Sequence, residues 1–124
     1  MLKLTLLASI CAVLSVAGAA ATDVKQPDLN SLLKGGLTLQ LGGEGMGYKG
    51  ELVLSPDGVG NGFAQPDGGA KIQISGKWQV KDNKFCRAWS DIDDGAEVCE
   101  EWRMVGPNKV EVYKGDMMIG QNSW

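Results

Sequence analysis

Arg87 and Glu100 sit in two short alternating segments, residues 84–89 and 96–105, that also carry Phe85, Trp89 and Trp102. If the segments are strands of one hairpin, a cation and a carboxylate share a face with large aromatic rings. Such a face has two uses. An internal ion pair can fix the register of an apolar core, or aromatic walls can enclose a small ligand that Arg87 or Glu100 orients. A charge in an apolar interior is costly without a partner, so either use requires the two side chains to meet.

The remaining candidates for chemistry are weaker. The chain has no histidine, which removes the commonest general base and the commonest transition-metal ligand together. Ser55, Ser75, Ser90 and Ser123 therefore have no imidazole to activate them. A glycosidase-type carboxylate pair would need a cleft for which so short a chain leaves little room. Asp91, Asp93 and Asp94 are calcium-type ligands, but their spacing is not that of an EF-hand loop and Ile92 interrupts them, so they read as a solvated hairpin tip. The run Gly45-Met46-Gly47-Tyr48-Lys49-Gly50 matches a dinucleotide fingerprint by letter, yet it leads into a strand and not a helix. No catalytic residue, metal site or cofactor is expected.

What positions Arg87 and Glu100 is a pair of cysteines. Joining Cys86 to Cys99 places Phe85 opposite Glu100, Arg87 opposite Val98 and Trp89 opposite Ala96. Side chains alternate along a strand, so the cysteines project away from the bulky face, to the outside with Lys84, Ala88, Glu97, Glu101 and Arg103. Such a bond chiefly restricts the unfolded chain and typically contributes about 2–4 kcal/mol. It also belongs to an oxidising compartment.

Residues 1–21 have the order of an export signal: Lys3, an apolar run over 4–16, then small residues at 17–21. Cleavage is expected after Ala21, with Ala19 as the alternative site, and Cys11 is lost with the signal. That leaves 103 residues, one domain's worth, with eleven basic against fifteen acidic side chains and a charge near −4. An acidic surface offers no footprint for phosphate backbones, so a nucleic-acid partner is not expected.

Beyond the signal, residues 22–35 form an N-terminal segment with one or two helical turns at 27–34, where Leu29, Leu32 and Leu33 share a side and Gly35-Gly36 stop the helix. The period then becomes two. Strands are expected at 37–41, 47–55, 59–65, 71–80, 84–89, 96–105, 109–113 and 117–122, with Gly, Pro, Asn and Asp at the interruptions. The connections are too short for crossovers. Residues 36–124 are therefore expected to form an all-β domain: a small antiparallel up-and-down barrel of about eight strands, with an open sandwich as the alternative. Glycines between 42 and 62 suggest bends and bulges in the second and third strands. Trp78 is expected as plain core, and Trp89, next to the loop, as rim.

The runs Gly76-Lys77-Trp78-Gln79-Val80, Phe85-Cys86-Arg87-Ala88-Trp89 and Cys99-Glu100-Glu101-Trp102 resemble the C-terminal half of small exported proteobacterial proteins of unknown function, over roughly residues 46–113. That resemblance implies no catalytic assignment. In architecture the chain is similar to lipocalin-like and avidin-like barrels and to periplasmic barrel inhibitors of proteases or lysozymes, whose reactive segments it lacks.

Together these features lead to an expectation of a monomeric, non-enzymatic binding protein, periplasmic or secreted, with no membrane span. Its ligand would be small and apolar or amphipathic, held at a barrel mouth by Arg87, Trp89, Glu100 and Trp102. The alternative is a barrel filled by its own side chains that binds another envelope or secreted protein through loop 91–95 or segment 42–50.

Overall fold

A computed structural model describes residues 25–124; the expected signal at 1–21, its cleavage site and Cys11 lie outside the described residues. Helix α1 (Leu29–Leu33) is followed by eight strands: β1 (Leu37–Gly43), β2 (Tyr48–Leu54), β3 (Val59–Pro66), β4 (Ile72–Lys81), β5 (Lys84–Trp89), β6 (Val98–Gly106), β7 (Lys109–Lys114) and β8 (Met117–Ser123). Each strand pairs antiparallel with the next, and β8 returns to β1. The sheet is a closed up-and-down barrel, which leaves no free edge.

Because successive strands reverse, the turns alternate between two ends. The lower end holds α1 and the turns at 55–58, 82–83 and 107–108; the upper end holds those at 44–47, 67–71, 90–97 and 115–116. Asp28 caps α1 by accepting from the Ser31 amide (3.3 Å) and hydroxyl (3.0 Å). Gly36 ends it with φ 79°, and a Cβ there would lie 2.7 Å from the Leu54 carbonyl oxygen. So short a helix is stable only where its apolar side is covered. Leu29 and Leu33 are both buried, in the same cluster as Leu39, Leu54, Trp102 and Val110.

Asn83 fixes the plug to the barrel. It turns β4 into β5 with φ 54°, a conformation Asn tolerates better than most residues. Its carboxamide accepts from the Leu29 amide and donates to the Pro27 carbonyl, both at 3.0 Å. The Met104 amide also donates to the Lys25 carbonyl at 2.7 Å, extending the attachment to β6.

The disulfide joins Cys86 to Cys99, with Phe85 opposite Glu100 and Arg87 opposite Val98. The ladder stops there. Ala96 does not pair with Trp89, because Asp93, Asp94 and Gly95 all have positive φ and wind the chain through a short 3-10 turn before β6 begins. The glycine-rich strands also differ from expectation: β2 and β3 pair without interruption, and the register shifts lie between β6 and β7 and between β7 and β8. The glycines of β3 serve packing instead. Gly60 and Gly62 lie opposite the buried Leu54 and Leu52, and a Cβ on Gly60 would come within 2.6 Å of the Trp89 indole.

That space admits Trp89, so the tryptophan expected at the rim is the more buried of the two. Trp89 is 4% exposed, and Trp78 is only half-buried at the lower end, stacked on Phe85 with ring centroids 6.0 Å apart. Ile72 and Ile74 share the alternation of one strand face, yet Ile74 is buried and Ile72 is exposed at the upper end of β4.

Candidate functional site

Leu29, Leu33, Trp102 and Val110 fill the lower interior of the barrel, with an open groove between α1, Pro56 and Trp78 on its outside. A cavity of about 200 Å³ opens at the upper end, walled by Leu41, Leu52, Ala64, Ile74, Phe85 and Trp89. Arg87, Glu100 and Asn122 line it with Ile92 of the upper loop, and Tyr48, Ile119 and Gly120 complete its β1–β8 side. Of the residues singled out from sequence, Arg87, Trp89 and Glu100 border this space. Trp102 lies behind it, 1% exposed, and reaches the mouth only through Glu100.

Arg87 and Glu100 do meet. The Arg87 Nε donates to Glu100 Oε2 at 3.1 Å, and the Trp102 indole donates to Glu100 Oε1 at 3.3 Å, so each carboxylate oxygen has a partner. Both ends of this pair are shielded from water. A third group joins it from the loop: Arg87 Nη1 donates to Asp93 Oδ2 at 3.3 Å. One guanidinium therefore holds two carboxylates, one inside the wall and one from the half-exposed Asp93.

Burial sets the electrostatics of this wall. Withdrawal from water pushes the Glu100 carboxyl above its ordinary value of 4.5, against the opposing pull of Arg87 and of the Trp102 hydrogen bond. Its neighbours on the outer face behave in the reverse way. Hydrogen bonds from Lys81 and Gln79 lower Glu97, and the Arg103 guanidinium lowers Glu101. Alternation along the chain has placed the acidic groups at 97, 100 and 101 in opposite electrical surroundings.

Near the upper end the barrel has a narrow seam. β1 and β8 share only the pairs Gln40–Ser123 and Leu41–Asn122, and no pairing joins Gly42 or Gly43 to β8. Tyr48 spans the gap: its hydroxyl accepts from the Gln121 amide at 3.1 Å, beside Gly120, where a Cβ would lie 2.5 Å from the phenol oxygen. The register shift after Val112 leaves Ile119 without a partner between Gly120 and Met118, and a bulge of this kind re-aims a side chain. Ile119 accordingly reaches the mouth, flanked by the exposed Met117 and Met118.

Sequence reading missed Tyr48, Ile92, Asn122 and the role of Asp93. Two of these had a signal. Asn122 is two residues from Gly120, on the strand side that packs inward, where a carboxamide is out of place in an apolar run. Asp93 follows an inward Arg87 closely enough to turn back onto it. Tyr48 and Ile92 had none, since one depends on the barrel seam and the other on the path of the 3-10 turn that follows it.

Cys86, Glu97 and Cys99 also come together among the described residues, but both sulfurs are consumed by the disulfide and offer no thiolate to a metal. No helix among the described residues is long and apolar enough to cross a membrane. No protein-family profile matches the chain, no curated protein is significantly similar to it, and no solved structure matches it. What the mouth can hold is decided by its own residues.

Proposed function

We propose that this is an exported, non-enzymatic binding protein that holds one small apolar or amphipathic ligand in the upper mouth of its barrel. The observation that carries this reading is the division of the interior. Leu29, Leu33, Trp102 and Val110 pack the lower part to near-zero exposure, while the upper part keeps a void of about 200 Å³ with aromatic and aliphatic walls. Apolar pockets with a few converging polar groups are the usual form of small-molecule sites. A cavity of about 150 Å³ already accepts a benzene ring, so a single-ring molecule or a short branched chain fits here. Export agrees with the disulfide, since such bonds persist in oxidising compartments.

A second reading has its own support. Met117, Met118 and Ile119 are exposed together on β8 beside the mouth, with Met117 69% exposed. An apolar cluster of this kind suits contact with another protein, in which case the barrel acts through its rim. Native mass spectrometry of protein taken from the envelope fraction of its source cells separates the two. A retained small mass supports the pocket, and a retained polypeptide with an empty cavity supports the rim.

A further inference from the structure

We infer that the occupant of the mouth is a compact amphipath bearing a carboxylate, which takes the place of Asp93 on Arg87 and thereby frees loop 92–95. The inference rests on the pocket reading above and names its ligand class.

Arg87 carries one carboxylate that cannot leave and one that can. Glu100 is buried and bonded through both oxygens, to Arg87 and to Trp102. Its departure would leave a guanidinium and an indole donor unpaired in an apolar wall. Asp93 has a side chain 47% exposed to water and makes a single contact of 3.3 Å from a turn of left-handed residues. Exposed ion pairs of this sort contribute little, so Asp93 returns to water at small cost.

The exchange conserves charge at the guanidinium. A ligand carboxylate arriving as Asp93 leaves keeps one cation between two anions, the arrangement already present. It also gains from a drier location, where charge-assisted bonds from a planar guanidinium are stronger and can be bidentate. Five N–H groups are available on an arginine, and among the described residues two of those on Arg87 are engaged. A cationic ligand meets the opposite situation: Arg87 stands in the wall, and both oxygens of Glu100 already accept bonds.

Two further features point to the same occupant. Ile92 lines the cavity and is adjacent to Asp93, so one loop both covers the space and pins itself to the group that would bind the ligand. Asn122 is 8% exposed, lines the cavity and has no side-chain hydrogen bond among the described residues, leaving a carboxamide free for a polar ligand atom.

The test uses the disulfide-bonded protein with benzoate, benzyl alcohol and benzylamine, followed by calorimetry and by amide shifts in NMR. Benzoate is expected to bind about tenfold more tightly than benzyl alcohol, with benzylamine weakest, as charge-assisted bonds are stronger than neutral ones. Its shift changes are expected at loop 92–95 and Asn122. Asp93→Asn keeps the left-handed turn, because Asn tolerates that conformation, and removes the competing anion. It is expected to tighten benzoate several-fold and leave benzyl alcohol unchanged. Equal affinity for benzoate and benzyl alcohol, or a preference for benzylamine, overturns the carboxylate while the pocket stands. Failure of all three probes to bind overturns both.

Discussion

At the lower end of the barrel Leu29 and Leu33 of α1 fill the space between strand ends, whereas at the upper end the same strands surround a void that contains Arg87, Glu100 and Asn122. The difference lies in what caps each end. Below, a helix delivers apolar side chains and is fastened by Asn83; above, a polar loop closes over the opening through one exposed ion pair. Apolar burial contributes at both ends, through Leu29 and Leu33 below and through Trp89 and Ile74 above, and the open half carries charges and a cavity as well.

The largest expected effect falls on the open end. Arg87→Met alone leaves Glu100 in the wall without its cation and is expected to cost about 3–5 kcal/mol, whereas replacing both by apolar residues of similar volume is nearly neutral. Urea unfolding of the two single variants and the double variant gives the coupling. A coupling indistinguishable from zero would mean that the pair is not buried as described.

At the closed end, Leu33→Ala is expected to cost about 2–5 kcal/mol through lost burial and the void left behind, with no change in affinity for a mouth ligand. Loss of binding in a variant that still folds at the assay temperature would show that the plug and the mouth are coupled. The two tryptophans divide between the ends, Trp78 below and Trp89 beside the mouth. Trp89→Leu is expected to be more destabilising than Trp78→Leu by about 1 kcal/mol or more, since Trp89 is buried over Gly60 and Trp78 is half-exposed. This inverts the order that their positions next to loop and turn suggest, and urea midpoints of the pair decide it.

The smallest effect is a slope with pH. Burial raises the folded-state pKa of Glu100 above 4.5, so its contribution favours the folded state below that value and falls as pH rises through the raised one. Glu97 and Glu101 act with the opposite sign: their lowered values give stability above 4.5 that is lost as pH falls, and their exposure keeps it small. Glu100→Gln should therefore flatten the decline seen when wild-type stability is followed upward from about pH 4. A decline unchanged by that substitution would place its origin elsewhere.

Most of the barrel was legible because its signals are local. Alternation with turn residues located all eight strands to within a few positions, and the spacing of Cys86 and Cys99 set the β5–β6 register that brings Arg87 to Glu100. What escaped depends on partners distant in sequence. The burial of Trp89 requires the missing Cβ of Gly60, two strands away in the sheet. Acidic residues at 91–95 suggest a solvated tip, and the return of Asp93 to Arg87 is legible only when that loop is read together with the inward direction of Arg87. Glycines in β2 and β3 suggested bulges, yet a glycine equally permits close packing, and only the opposite wall decides between the two.

The narrow β1–β8 seam bears on the order of assembly. Every other strand pair joins sequence neighbours across a short turn, but Gln40–Ser123 and Leu41–Asn122 tie the first strand to the last. Closing so long a loop is entropically the most demanding contact, so these pairs and the Tyr48 clasp are expected to form after the hairpins and to come apart before them. The mouth exists only once the seam has closed, which makes ligand capture and the last step of folding parts of a single equilibrium. An occupied mouth is then expected to slow hydrogen exchange at the Gln121 amide more than at the amides of the β2–β3 ladder.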